Sequence, residues 1–348
     1  MRGGRCWCGV LVLSSLIAVA SYEARATCVV TPRTSDSSAE LVTHLLPTCS
    51  PDERAAHALA GETVIDAIAQ GRRVDLVGVL IRGDLVFDRL SLEPASGSNE
   101  VADGQRVVRA AVSIKDSDVR GVLRHRSSKN VLRFEGPVDF QGSRFREGVD
   151  LSRSVFQQKV DLSGATFEKE AHFVRGHFVG DTACRETKFG PSTRFHQSIF
   201  QGPLDCSDAL FDGMAELLEV TFEGPVTFER SRFGQGTGFS GSHFKSRVDF
   251  GEAVFSREAF FGFTVFEHEG LFAGAQFLGS ADFSSAEFKR PDDLGKARFD
   301  QPPILAQTKR LASEPSDGLL QTREGQYVLT LAFLVVAALL IAYLLKVK

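Results

Sequence analysis

At 348 residues the chain has room for one large domain or two ordinary ones. Its 40 basic and 44 acidic residues leave a net charge of −4, which excludes a general electrostatic pull toward nucleic acid or an anionic membrane surface. A count of 29 Phe against 3 Tyr and 1 Trp excludes an ordinary mixed core and points to one geometric slot filled repeatedly by the same side chain.

The chain opens with two arginines in residues 1–5, an apolar run over 6–20 and a small-x-small site at Ala24-Arg25-Ala26. These read as a secretory signal peptide over 1–26, cut before Thr27, with an uncleaved N-terminal anchor as the alternative. Cys28 lies one residue too late for a lipoprotein signal. Residues 27–51 read as a polar linker. It holds Cys28 and Cys49, which can close a small loop in an oxidising compartment or stay as two free thiols. Ser50-Pro51-Asp52-Glu53 combines a cap, a first-turn Pro and a Glu three residues on, and it predicts a helix over 52–71 ending at Gly71. The apolar stripe of that helix suits it to plugging the end of a stacked structure.

From Leu76 large apolar residues recur in steps of five and six: Leu76, Ile81, Phe87, Leu92. A polar stretch over 93–109 interrupts them; they return at Ile114 and Val119, slip around 124–130 and lock at Phe134. Residues 72–133 therefore read as irregular early coils with two inserted loops. Over 134–300 the pattern is strict: Phe140, Phe145, Leu151, Phe156, Leu162, Phe167 and so on to Leu294 and Phe299, thirty positions without a slip. Two residues before each centre sits a small or β-branched side chain, such as Ser143, Val149, Ala165 or Val226, with Leu204 and Asp292 as misfits. Helices need spacings of three and four, and hairpin meanders need turn clusters every eight to twelve residues. An alternating five-and-six step fits a solenoid with four short sides per 22-residue turn. Fifteen eleven-residue units make seven and a half coils, a rod of about 36 Å at the usual strand spacing.

Residues 301–326 read as a Pro- and charge-bearing linker. Residues 327–345 carry no charge and are long enough to span a hydrocarbon core; the tail over 346–348, with Lys346 and Lys348, favours the cytoplasmic side. The expected arrangement is a single pass in the cytoplasmic membrane with everything between the two apolar ends on the extracytoplasmic side. The lipid bilayer is then one partner, through the C-terminal helix.

The triplets Val149-Asp150-Leu151, Val160-Asp161-Leu162, Val248-Asp249-Phe250 and Ala281-Asp282-Phe283 carry a small residue, an Asp and a large apolar residue in order. They resemble the signature of the pentapeptide-repeat family, and the five-plus-six spacing looks like its Phe-rich form. The resemblance implies an all-β solenoid, a right-handed quadrilateral β-helix, here with an N-terminal capping helix and a C-terminal transmembrane helix. Strict five-residue steps would give a tighter coil, so the extra residue on alternate faces leaves the corner geometry open.

Cys184 and Cys206 take large-residue slots 22 apart and share a column. Buried thiols standing in for Phe and a bridged pair are both open. The eight His show no zinc-type spacing, and no phosphate loop or nucleophile motif stands out, so no catalytic, metal or cofactor site is expected. The residue before the large slot should point outward. One such column reads Asp139, Asp161, Ala183, Asp205, Thr227, Asp249, Leu271, Asp293, which is either an acidic face for a basic partner or a slot that prefers Asp for local hydrogen bonding. Phe260 and Phe263 flank the interior Phe261 and make a second candidate contact patch. The leading expectation is a non-enzymatic binding or scaffold module for an envelope protein. Some pentapeptide-repeat proteins resemble DNA in charge and inhibit topoisomerases, but the expected topology puts this rod across the membrane from DNA, and nucleic acid is disfavoured. A passive spacer is the third reading.

Overall fold

The computed structural model describes residue 28 and residues 39–94, 104–125 and 129–311. The expected signal peptide over 1–26, transmembrane helix over 327–345 and tail over 346–348 lie outside the described residues. Among the described residues no helix is long and apolar enough to cross a membrane.

The described chain winds into a parallel β-solenoid with four sides. One coil contributes strands Val138–Asp139, Arg144–Phe145, Val149–Asp150 and Ser154–Phe156, and the sides are numbered one to four in that order. The four ladders hold 10, 11, 9 and 10 strands, all parallel and each paired to the strand one coil away. In the regular coils the register step is 22 residues, as in Asp139↔Asp161 and Phe145↔Phe167. Parallel crossovers of this kind take the right-handed sense. Eleven strands stacked about 4.8 Å apart give a length of about 48 Å.

The alternation of five and six is resolved at the corners. In most five-residue steps of the regular coils the carbonyl of the large residue accepts from the N–H three residues on, as in Phe140 from Ser143 at 3.1 Å. The residue between, two after the large one, has positive φ: Gly142 at 63°, Arg153 at 58°, Glu252 at 57°, Phe263 at 58°. This is the pattern of a type II turn. The six-residue steps in the regular coils use their extra residue instead and need no positive φ. Tight corners thus alternate with wide ones, and a single coil geometry accommodates both steps.

The interior is made of stacked rings. Side four carries Phe134, Phe156, Phe178, Phe200, Phe222, Phe244, Phe266 and Phe288 in one column, with centroids 4.4–5.4 Å apart and planes within 15° of parallel. Side two carries a second unbroken column from Phe145 to Phe299. Isolated aromatic pairs often prefer edge-to-face contact. Here the strand spacing imposes the stack, and the edge contacts run between columns, as in Phe239–Phe250. The small slots are buried too, including Ser143, Ala165 and Ala253. A large and a small side chain alternate along each side because the interior has room for only one of each per strand.

Several expectations for the two ends change. The solenoid starts earlier than residue 72: Glu40–His44, placed in a linker by its polar flanks, pairs in parallel with Arg73–Val77. The helix expected over 52–71 is two helices, Pro51–Ala56 and Gly61–Ala69, because Leu59–Ala60 leaves the helix to pair with Leu80–Arg82. Ser50 and Glu53 form the expected capping box. The second helix buries Val64, Ile65 and Ile68 against the first coil. Leu92 is exposed and fills no slot. The chain leaves the coil there, and Gly104–Val108 supplies side four instead. At the other end the coil runs past 300: Ile304 bridges to Asp282, and Lys309–Arg310 pairs with Glu287–Phe288.

Candidate docking faces

Side one brings the acidic column together as the spacing required. Asp139, Asp161, Asp205 and Asp249 stand one above another, broken by Ala183 and Thr227. Each of the four accepts a hydrogen bond from the N–H two residues on: Gln141, Ser163, Ser207 and Gly251, at 2.9–3.1 Å. Asp150 and Asp282 on side three do the same with Ser152 and Ser284. This Asx geometry turns the chain out of the strand, and it explains the Asp of the repeat by local bonding alone.

The column is also neutralised. All five acids have a cation within 4 Å: Lys115 at 3.8 Å from Asp139, Lys159 at 2.8 Å from Asp161, Arg185 at 3.1 Å from Asp205, Arg247 at 2.8 Å from Asp249 and Lys296 at 3.7 Å from Asp293. Asp161 departs furthest from an outward-facing carboxylate. It is 3 % exposed, covered by Lys159 and by Gln141, whose amide donates at 2.6 Å. Burial pushes its carboxyl up, but the bonds from Lys159, Ser163 and Gln141 outweigh that and hold it below the usual range. For Asp139 burial prevails and the carboxyl is raised. Asp293 does not continue the column as a strand residue. It precedes the short 3-10 turn Leu294–Lys296 and accepts from the Phe272 N–H at 2.5 Å, ending the ladder on that side. The pairing had a sequence signal: Lys159 and Arg247 each stand two residues before their Asp, just ahead of the strand that carries it.

Phe260 and Phe263 behave differently. Both rings are open, 43 % and 70 % exposed. Phe260 is the outward residue of side three, flanked in register by Gly238 and Asp282. Phe263 is the positive-φ residue of the next tight corner, with Gly241 one coil below and Ser285 one coil above. Elsewhere that corner forms a polar ladder: Arg175 donates to Gln197 at 2.9 Å, and Gln197 donates to Glu219 at 2.8 Å. A left-handed conformation costs a non-Gly residue about 1–2 kcal/mol. Phe263 adopts it while leaving most of its ring in water, so folding alone gives no return for an aromatic there.

Cys184 and Cys206 are fully buried neighbours in the side-one column, with Cα atoms 4.5 Å apart and sulfurs in disulfide contact. Parallel stacking on adjacent strands brings the two side chains within bonding reach. Cys28 and Cys49 are also bridged, with Cα atoms 5.4 Å apart. Among the described residues no group of three or more His, Cys, Asp or Glu could hold a metal ion.

One buried titratable group was not legible in the sequence. His125 occupies a large slot on side three, where Leu123–Arg124 pairs with Val149–Asp150, so it stacks in the column below Leu151. It is 2 % exposed, and neither ring nitrogen makes a hydrogen bond of good geometry among the described residues, the Ser152 backbone offering only a weak one. The slip in spacing around 124–130 concealed it.

The family described as pentapeptide repeats (9 copies) matches residues 133–177 and 217–265. No curated protein and no solved structure matches the chain.

Proposed function

We propose that this pentapeptide-repeat solenoid is a non-enzymatic docking module. In this reading residues 327–345 hold it at the cytoplasmic membrane, the rod faces the extracytoplasmic side, and the partner is an envelope protein that binds the corner carrying Phe260 and Phe263. The observation that carries it is Phe263: an aromatic ring in a left-handed corner position, 70 % exposed, where neighbouring coils place Gly, Ser and Glu. Exposed rings on a rigid scaffold supply contact area with little conformational entropy to lose, which is what binding surfaces select. The carboxylates of side one already have local partners, so they support the reading less. The sequence around the rod supports the placement, through its apolar N-terminal run and its uncharged C-terminal span.

Photo-crosslinking in cells tests it, with the crosslinking residue placed at Phe263 in one variant and at Asp205 in another. The reading expects one dominant adduct from position 263, lost when Phe260→Ser is added. Equal labelling from both positions, or adducts only from 205, would move the face to side one. A reporter fused after residue 311 tests topology: activity only in the cytoplasm removes the extracytoplasmic placement.

A further inference from the structure

The two ends of the solenoid are closed by different means. At the N-terminal end helix Gly61–Ala69 lies over the first coil with Val64, Ile65 and Ile68 buried. At the C-terminal end no helix among the described residues covers the last coil. Side three stops at Leu305 and side four at Arg310. Ile304, Leu305 and Leu311 are left 47 %, 39 % and 56 % exposed.

Charge collects around these three. Residues 289–311 hold six basic side chains, Lys289, Arg290, Lys296, Arg298, Lys309 and Arg310, all exposed, against three acids. This segment is therefore +3 in a chain whose net charge is −4, with Lys289 paired to Glu267 of the coil below at 2.9 Å. The acids are engaged within the fold: Asp292 by Arg310, Asp293 by Lys296 and the Phe272 N–H, Asp300 by Arg298. Arg290 and Lys309 have no ion pair among the described residues.

We infer that the C-terminal end of the rod is a membrane-contact surface that seats on anionic phospholipid, with Ile304, Leu305 and Leu311 entering the headgroup region and the basic rim meeting the lipid phosphates. The inference rests on the proposed anchor at 327–345. Apolar residues ringed by Lys and Arg are what an interfacial contact with anionic lipid requires. Position agrees with chemistry. Only fifteen residues separate Leu311 from Tyr327, where the uncharged span begins. Even fully extended they reach no more than about 60 Å. The end nearest the bilayer is thus the one that is apolar and basic, and a contact weak on its own is favoured by the tether. A second copy docked end to end would bring one basic rim against another. The rest of the rod carries the net negative charge, so an anionic surface would repel its sides and hold it upright.

Hydrogen exchange on the full chain in lipid nanodiscs tests this, comparing phosphatidylcholine alone with an equal mixture of phosphatidylcholine and phosphatidylglycerol. The expected result is several-fold slower exchange at residues 304–311 in the mixed discs, with residues around Phe222 unchanged. Arg290→Glu with Lys309→Glu, which breaks no ion pair of the described fold, should remove the difference. Equal exchange in both lipids, in a chain that stays with the discs, overturns the inference and leaves the anchor intact. Slow exchange in both lipids with two chains per disc overturns it in favour of end-to-end pairing. A chain that never enters the discs overturns the anchor reading, and the inference falls with it.

Discussion

Arg310 and Asp292 form an ion pair across the last coil of the solenoid, the guanidinium donating to the carboxylate through Nε at 2.8 Å. Arg310 stands in the large slot above Phe288, and Asp292 stands in the small slot two residues before Leu294. Both side chains break the repeat, and they do so together. The Asp292 side chain is 2 % exposed and also accepts from the Leu294 N–H at 3.0 Å. A polar pair therefore closes the end of an aromatic column where a further Phe would have faced water.

The pair predicts an asymmetric pair of mutants. Arg310→Leu leaves a buried carboxylate with only a backbone donor and should cost about 2–3 kcal/mol, below the full value for a buried pair because Arg310 is itself partly exposed. Asp292→Ala puts into the small slot a residue it accepts in other coils, and should cost under about 1 kcal/mol. The double mutant should recover most of what Arg310→Leu loses. Denaturant midpoints of the three variants decide it; equal losses in both single mutants would show that the carboxylate is not buried at the expense of its partner.

The unbroken Phe columns predict a position-dependent cavity cost. Phe222→Ala removes a ring stacked at 5.4 Å below and 4.6 Å above, between coils that cannot collapse without breaking register. A loss of about 3–5 kcal/mol is expected. Phe299→Ala, at the open end, has a ring on one side only and should lose less than half as much. Equal losses would mean that the stack does not carry the stability, and thermal or urea melts are sufficient to see it.

The repeat was legible because its period is set by geometry that every coil shares. A slot that admits one large and one small side chain imposes the same choice thirty times, so Phe140 through Phe299 could be placed in register from spacing alone. The ends were less legible because each end residue answers to a local solution. Glu40–His44 forms a strand only because Arg73–Val77 lies beside it. Leu92 fits the spacing and lies outside the coil. Arg310 violates the pattern and lies within it. The acidic column illustrates a further limit: its alignment followed from a 22-residue period, but whether its charges are free depends on side-chain reach, as with Gln141 folding onto Asp161.

Phe263 predicts a separation of stability from function. Phe263→Asn keeps the corner, since Asn tolerates the left-handed region better than an aromatic residue, and should leave stability unchanged or raise it by up to about 1 kcal/mol. If the ring is a contact residue, the same substitution should sharply reduce partner capture. A variant that melts higher and still captures its partner would show that the ring is dispensable. A variant that melts several degrees lower would show that Phe263 packs against the corner, and its exposure would then need another explanation.

His125 predicts acid sensitivity above the range where carboxylates titrate. Burial disfavours the imidazolium and lowers the ring's affinity for protons, with Asp88 opposing the shift and Arg106 adding to it. The folded chain therefore keeps His125 neutral where the unfolded chain binds a proton, at about pH 6.5. With more protons bound in the unfolded state, stability must fall as pH drops through that value and go on falling until the folded ring also titrates. Asp118 and Asp161, whose carboxyls are lowered, lose their contribution only in a more acidic range. A melt at pH 5.5 should thus lie below one at pH 7.5. His125→Leu, which gives side three the residue type of Leu151 directly above, should flatten that limb while leaving the carboxylate limb in place. An unchanged pH profile in His125→Leu would mean that the ring is protonated or hydrated within the fold, and that its burial does not govern the acid response.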